Sequence, residues 1–555
     1  MTTFRQLLNI FRDRFTESDA LSAGSGYDTN IYQMLGFLAV PGVFVSLYLI
    51  PRFRALSFYQ PGPAVDWELR TDHLFFVAYS FVVLGFTTVF EWDMLFPDRR
   101  DFLILTPFPI RMRDLFGAKL AALGLFLLAA CMAVNAVPII LLPVFSAYVK
   151  QARAAGVFRL MLTQLVATGA ASLFGFFAVA TFQGILINLT TPRFFRRISP
   201  WIQMFGMSLM VLMLLLYPIY SMGMRPIAES HPAWLWYFPP YWFAGIYDLM
   251  LPRPDPMFTA LGIFAWKALA VTIGVFCLTW GIGFRRHYRR TLEAEESRPA
   301  GAGQRLTNHF WSRLLHSPAE RAIFHFSGVT LARSLKHRLF LATYLSVGLA
   351  FGILVTVVLK AGKLSLSAEG LRCMPLLFTF FVISGFRAAF QFPADLPANW
   401  VFQLAEAGWG ETSRRATRKR VLASGLLPTL LVFLPLEIAV WGLGKGLFHL
   451  AFQFAAGALL TEVLFWTFNK EPFTCSYFPG ATNFAFLAGF YLYGFTNYSF
   501  MMADLEASLE KNTVQALQYF VGSAILITLA WLRQTKGAPI RFDAGEPEIQ
   551  SLELS

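Results

Sequence analysis

Residues 118–142 read AKLAALGLFLLAACMAVNAVPIILL, and Lys119 is the one charged residue among them. A helix needs about 20 mostly apolar residues to cross the hydrocarbon core of a bilayer, so this stretch is long enough. Its apolar residues do not alternate with polar ones, which favours a helix over a strand of a membrane barrel. The stretch therefore predicts a membrane-spanning helix.

Similar stretches recur along the chain, and together they predict an all-α fold, a polytopic membrane helical bundle of about twelve transmembrane helices. The composition agrees, because 56% of the 555 residues are hydrophobic and only 14% are charged. Soluble domains carry about 25% charged residues. The predicted spans lie near residues 31–50, 74–92, 118–142, 160–187, 201–220, 258–282, 339–359, 374–392, 421–441, 448–468, 484–502 and 514–532.

The spans fall into two halves of six that look like an internal repeat. In each half the second span ends in Phe-Pro followed by an acidic residue, at Phe96–Asp98 and at Phe392–Asp395. Pseudo-symmetric halves of this kind commonly frame a transport path. The predicted organisation is a first six-span half with an N-terminal interfacial helix (1–290), a cytoplasmic linker (291–320), a second six-span half (321–536) and a cytoplasmic C-terminal tail (537–555).

Each half also begins with a basic amphipathic segment. In residues 1–15, arginines alternate with apolar residues at a spacing that places the apolar ones on one helical face. Residues 322–338 repeat the pattern, with Phe324, Leu331 and Leu335 near one face. Both segments are predicted to be helices that lie along the membrane surface.

The basic residues indicate orientation rather than nucleic-acid binding. The net charge is +13, but Arg and Lys cluster in short loops between spans. Such clusters mark cytoplasmic loops in membrane proteins. The clusters after the second, fourth, sixth and eighth spans lie on one side if both termini are cytoplasmic. We therefore expect a multi-pass protein of the cytoplasmic (inner) membrane with both ends inside.

The loop after the second span carries a family resemblance. Residues 98–110 read DRRDFLILTPFPI, and Lys119 opens the next span after Phe116-Gly117-Ala118. With the interfacial helix and six spans per half, the chain resembles ABC transporter permeases of the type-2 (ABC-2) class, as two tandem halves fused in one chain. Most such permeases have a single six-span unit and dimerise. The second loop here is also about five residues longer, a further departure.

The resemblance implies an exporter permease whose cytoplasmic loops contact a separate nucleotide-binding ATPase subunit. ATP and Mg would belong to that partner, with no cofactor in this chain. Pro107 and Pro109 would stiffen the first loop. Anchoring to anionic membrane lipid is the alternative role for its arginines. The implied coupling residues are Asp98, Arg99, Arg100, Asp101, Arg111, Arg113, Asp114, Lys119, Asp395, Arg414, Arg415 and Arg418.

The sequence shows no catalytic or metal signature of its own. Gly442–Gly446 lacks the spacing of a phosphate-binding loop, and the four cysteines lie far apart in the sequence. Asp98 and Asp101 match, weakly, the paired carboxylates of a metal-dependent membrane transferase. We therefore expect a transport subunit that is not an enzyme, with no catalytic residue and no metal site, and leave its substrate open.

Charged residues inside spans are costly and mark functional candidates. Lys267, Glu437 and Glu462 are the intramembrane polar candidates, either lining a polar path or pairing with one another. Glu437 and Glu462 support a second hypothesis, an ion-coupled secondary transporter. The aromatic segment 231–243 predicts a short re-entrant or interfacial lid, whereas its counterpart, 503–512, predicts a short acidic loop.

Overall fold

Long apolar helices dominate the computed structural model of this chain. The residues that it describes contain eleven helices long and apolar enough to cross a membrane, so the chain is an all-α, multi-pass membrane protein. The structure describes residues 2–16, 31–60, 62–92, 95, 110–151, 153–221, 224–252, 254–292, 315, 317–360, 363–394, 399, 410–475 and 484–534.

The described residues divide into two compact units, with residues 2–292 in unit 1 and residues 315–534 in unit 2. A 3₁₀ turn, Ala233–Tyr237, precedes α10 in unit 1. The helices of unit 1 are α1 Thr2–Thr16, α2 Ile31–Tyr48, α3 Ile50–Leu56, α4 Pro63–Phe90, α5 Met112–Val149, α6 Ala154–Leu189, α7 Pro192–Leu215, α8 Tyr217–Ser221, α9 Met224–Ser230, α10 Pro239–Leu249 and α11 Pro256–Leu292.

Unit 2 has a short hairpin of two strands, β1 Val357–Lys360 and β2 Lys363–Leu366, paired antiparallel with Val357 opposite Leu366. A π-helical turn, Leu422–Leu426, joins α15 to α16. The helices of unit 2 are α12 Pro318–Arg333, α13 Leu335–Thr356, α14 Ala368–Ala389, α15 Gly410–Val421, α16 Leu427–Trp441, α17 Leu443–Leu464, α18 Phe484–Leu509 and α19 Thr513–Gln534.

Eleven of the twelve predicted spans coincide with these long apolar helices. The twelfth, 484–502, lies in α18, where the side chains of residues 484–492 fall outside the described part of the chain. Several helices begin earlier than the predicted spans, because their first turns are charged and resemble loops in the sequence. The second span begins at Pro63 rather than 74, and the ninth belongs to a continuous helix, Gly410–Trp441.

The two amphipathic segments are helices that pack on the third span of their own unit. In α1, Leu7 and Phe11 are buried in a cluster that includes Leu115 and Ala118 of α5. In unit 2, α12 packs on α15. The second segment differs from its predicted extent of 322–338, since α12 ends at Arg333 and Leu335 already starts α13.

The spans of the two units have corresponding neighbours. The second span packs on the fourth and on the fifth in each unit, as α4 does on α6 and α7, and α14 on α17 and α18. The first spans differ: α2 packs mainly on α5, whereas α13 packs on α14. Small residues allow the second arrangement, because a Cβ on Gly348 would lie 2.8 Å from Cβ of Phe381.

The aromatic segment 231–243, predicted as a short re-entrant or interfacial lid, comprises the 3₁₀ turn Ala233–Tyr237 and the start of α10. Trp234 and Tyr237 are exposed, but α10 inserts among α4, α6 and α11 and buries Tyr241 and Phe243 completely. Gly245 of α10 and Gly262 of α11 permit this close crossing, because neither has a Cβ that would meet the other helix. The segment is thus a short helix inside the bundle of unit 1.

Candidate functional site

The predicted coupling region of unit 1 is only partly described. Residues 98–101 lie outside the described residues, as does the side chain of Arg113, although its backbone belongs to α5. Arg111 is exposed directly before α5, and Asp114 is half-buried in its first turn. Both side chains lie at the start of a long helix, where a partner subunit could reach them. Their role in coupling stays a prediction.

Lys119 is buried rather than accessible to a partner. Its side chain is covered by α1, and its ammonium lies 5.3 Å from the ring centroid of Phe11. A cation over an aromatic face is attracted by the negative charge density of the ring. Lys119 therefore helps to hold α1 on α5 and does not form part of an exposed contact surface.

The basic run of α15 is largely turned into unit 2. Arg414 and Arg418 are buried, while Arg415 forms an ion pair with Glu411 near the surface. Lys419 pairs with Glu320 of α12 at 2.7 Å, and the guanidinium of Arg420 stacks on the ring of Phe324 at 3.6 Å. This burial weighs against Arg414 and Arg418 as contacts for a partner subunit. Asp395, the start of the same predicted second-half coupling region, lies outside the described residues.

Glu462 and Glu437 do not pair with each other. Nε of Arg418 lies 3.0 Å from Oε2 of Glu462, and Arg418 also donates to the carbonyl oxygen of Phe465 at 3.2 Å. This buried ion pair ties α15 to α17, which gives Glu462 a structural role. The third intramembrane candidate, Lys267, lies on the exposed surface of unit 1.

Glu437 belongs to a different group, which we call the acid–histidine cluster: Glu437, His449, Gln453 and Glu506. These residues come from α16, α17 and α18, and none is more than 3% exposed. Nε2 of Gln453 donates to Oε1 of Glu437 at 2.7 Å, and Nε2 of His449 lies 3.6 Å from the same oxygen. Nδ1 of His449 contacts Oε1 of Glu506.

A second, more exposed layer of charge lies one helical turn away from the cluster. Nζ of Lys445 lies 2.6 Å from Oε1 of Glu510, and Arg372 of α14 donates to Oε2 of Glu510 at 2.7 Å. The hydrogen bond from Lys445, with the bond and charge of Arg372, holds the pKa of Glu510 below its usual range. Trp441 closes one side, 5.2 Å from the His449 ring.

Spacing in the sequence could have revealed this site. Lys445, His449 and Gln453 follow one another at intervals of four and so share one face of α17. The prediction of a loop at 503–512 was wrong, because α18 continues to Leu509 and buries Glu506 in its last turn. In the sequence, acidic residues near the end of an apolar segment look like the start of a polar loop. The contact of Glu506 with His449 shows that they belong to the buried helix.

A second buried carboxyl group lies apart from the cluster. Glu471 follows α17, is 5% exposed and accepts a hydrogen bond from Oγ of Ser413. Burial raises the pKa of Glu471 from 4.5 to about 7, with the hydrogen bond from Ser413 opposing that rise. This carboxyl group therefore titrates near neutral pH and has to be separated from the cluster in any titration.

The acid–histidine cluster combines two carboxyl groups and an imidazole, all of which can bind a proton. No group of three or more metal-ligating side chains with suitable geometry occurs among the described residues. Each cluster residue has at least one partner within hydrogen-bond or ion-pair range, while Oε2 of Glu437, Nε2 of His449, Oε1 of Gln453 and Oε2 of Glu506 are buried without a hydrogen bond. Comparison of the chain with protein-family models, curated proteins and solved structures gives no match.

Proposed function

We propose that this chain is the membrane-spanning permease subunit of an ATP-binding-cassette exporter in the cytoplasmic membrane, driven by a separate ATPase. The observation that carries the proposal is the repeated seating of an amphipathic helix on the first turns of a third span. In unit 1, α1 packs on α5; in unit 2, α12 packs on α15. Each unit thereby offers one rigid starting point for a long span beside a predicted coupling loop.

The proposed orientation places α1 and α12 on the cytoplasmic side. The arginine-rich segment 98–111 precedes α5, and the basic residues 414–420 lie within α15; both would lie on that side, as the charge rule for membrane proteins expects. Both termini are then cytoplasmic. A pair of ATPase subunits, with ATP and Mg, would contact the two loops, one in each unit.

Helix length supports a mechanical role for these loops. α5 has 38 residues and Gly410–Trp441 has 32, so they extend about 57 and about 48 Å at 1.5 Å per residue. A push at the first turn of such a helix would be passed along its hydrogen-bonded backbone, which includes the π-helical turn Leu422–Leu426 in unit 2 and Pro138 and Pro143 of α5 in unit 1. In unit 2 the far end of this helix carries Glu437.

Co-purification tests the proposal. The tagged chain, extracted from native-host membranes in mild detergent, is expected to bring down an ATPase subunit that hydrolyses ATP. A matched pull-down with Arg111→Ala and Asp114→Ala, both at the start of α5, is expected to lower the recovery several-fold. A chain that elutes alone and without ATPase activity contradicts the proposal.

The acid–histidine cluster favours a second candidate, an ion-coupled secondary transporter that uses Glu437. Glu462 drops out of that candidate because Arg418 neutralises it. Such a transporter would work without ATP and stop when the proton gradient across sealed vesicles is collapsed. Transport that requires ATP and continues after the proton gradient is collapsed supports the permease. Asp98 and Asp101, which a membrane transferase would use, lie outside the described residues.

A further inference from the structure

The ring of His449 makes two contacts that a neutral imidazole cannot satisfy together. A neutral ring has one N–H and one bare nitrogen. Here Nδ1 contacts Oε1 of Glu506, and Nε2 lies 3.6 Å from Oε1 of Glu437. With both carboxylates ionised, one contact would set a nitrogen lone pair against an anionic oxygen. One added proton, on the ring or on a carboxyl group, makes both contacts attractive.

Burial increases the stabilisation that the added proton gives, because it raises the cost of uncompensated charge. Two ionised carboxylates and a neutral ring would carry two negative charges among residues that are at most 3% exposed. Buried charge without compensation is expensive, above all at membrane depth. Gln453 compensates only part of this, through one hydrogen bond to Glu437. The proton lowers the net charge from −2 to −1.

A charged layer lies one helical turn from the site, at one end of unit 2. Glu510 follows Glu506 by one turn of α18, and Lys445 precedes His449 by one turn of α17. Lys445 is 63% exposed, so this layer reaches the surface. In the other direction α17 continues with buried Ala456 and Gly457, and a Cβ on Gly457 would lie 2.5 Å from Leu426. Proton exchange is therefore open toward the layer of Lys445 and Glu510.

Every helix packed around the cluster contributes to its electrostatics. Arg372 of α14 is engaged with Glu510, and Lys445 of α17 is engaged with the same carboxylate. Among the described residues of these helices, Arg372 and Lys445 are the cations near the cluster, and both contact Glu510. Among the described residues, the titratable and charged groups that these helices bring near the site are Glu369, Arg372 and Cys373 of α14, Glu437 of α16, Lys445 and His449 of α17, Tyr498, Asp504 and Glu506 of α18, Glu510 just after α18, and Tyr519 of α19; Glu369 and Asp504 are themselves exposed.

We propose that Glu437, His449 and Glu506 form a proton-binding site that takes up one proton from the membrane face carrying Lys445 and Glu510. The bound proton links three helices, since His449 of α17 then attracts Glu437 of α16 and Glu506 of α18 at once. Its loss leaves two carboxylates facing a neutral ring and weakens that link. The proposal does not depend on the ATPase partner.

Infrared difference spectroscopy on the full chain in lipid nanodiscs tests the site. Spectra at about pH 5 and about pH 9 report the loss of a protonated carboxyl group or of an imidazolium ion. The measurement uses a Glu471→Gln background, because Glu471 itself titrates near pH 7. We expect the band assigned to the shared proton to be absent in His449→Gln and in Glu437→Gln.

The matched control is His337→Gln. His337 is also buried in unit 2, but its ring contacts Oγ of Ser334 and the carbonyl oxygen of Phe392 rather than a carboxylate. This variant is expected to retain the band. Monodisperse elution shows whether each variant folds, and Glu437→Gln serves if His449→Gln does not. Difference spectra that are identical in the background protein, His449→Gln and Glu437→Gln would overturn the proposal.

Discussion

Replacing Arg418 with methionine is expected to cost about 3–5 kcal/mol of the free energy of unfolding, because it removes a charged partner from the buried carboxylate of Glu462. The pair is closely made, with Nε of Arg418 3.0 Å from Oε2 of Glu462 and both side chains less than 9% exposed. The hydrogen bond to the Phe465 carbonyl is lost as well. Thermal unfolding in detergent, followed by circular dichroism, measures the loss.

Two variants separate burial of charge from other effects. The double change Arg418→Met with Glu462→Met removes both charges and is expected to recover most of the stability, since apolar pairs of similar size can replace buried ion pairs. Arg415→Met, three residues earlier, removes a partly exposed pair with Glu411 and is expected to cost less than about 1 kcal/mol. Equal losses in Arg418→Met and Arg415→Met would contradict the assignment.

Adding one methyl group at Gly262 is expected to displace α10 from the bundle of unit 1. A Cβ there would lie 2.6 Å from the carbonyl carbon and oxygen of Gly245. The reciprocal Cβ on Gly245 would lie 2.3 Å from the carbonyl oxygen of Phe258. These atoms are backbone and cannot move aside without separating the two helices. We expect Gly262→Ala to lower stability by about 3 kcal/mol, the upper part of the range for overpacking.

Gly274→Ala is the matched control for this prediction. Gly274 lies on the same helix, α11, and a Cβ at that position meets no atom within 4 Å. Alanine has the better helix propensity, so the control is expected to be neutral or to gain up to about 1 kcal/mol. Thermal unfolding of the two variants side by side decides between them. A loss in Gly274→Ala as large as in Gly262→Ala would show that the close crossing is not the cause.

The sequence predicts the helical spans well because their physical cause is local. An apolar stretch of sufficient length satisfies its own backbone hydrogen bonds as a helix, and needs no knowledge of its neighbours. Starts were misplaced where a span begins with charged residues, as at Gly410–Val421, because those charges are paired inside the unit. The burial of α10 also depends on a close crossing of Gly245 and Gly262, which no local pattern reveals.

The candidate site was only half predicted, for a related reason. Glu437 could be identified because a carboxylate within a span is unusual. His449 and Glu506 were missed because their significance comes from neighbours on other helices. Glu462 was assigned to the same set as Glu437, although Arg418 neutralises it. Residue type indicates a cost of burial, but only the packing shows which group compensates it.

One helix, Gly410–Trp441, connects the predicted second coupling region with the acid–histidine cluster. Gly410–Trp441 begins beside the predicted second coupling loop and ends one turn beyond Glu437. We therefore propose that ATP-driven movement of its first turns alters the contacts of the acid–histidine cluster. The exposed start of α5 offers the corresponding position in unit 1, where a partner can be detected directly.

Site-specific photo-crosslinking at Arg111 in native-host membranes tests whether an ATPase subunit contacts the start of α5. A photoreactive amino acid at this exposed position, just before α5, is expected to capture an ATPase subunit carrying a phosphate-binding loop. The matched control is Tyr148, 65% exposed near the other end of the same helix, which should not capture it. Capture of the ATPase at position 111 alone supports an ATP-driven permease. Capture at position 148 instead, or of lipid alone at both positions, would contradict it.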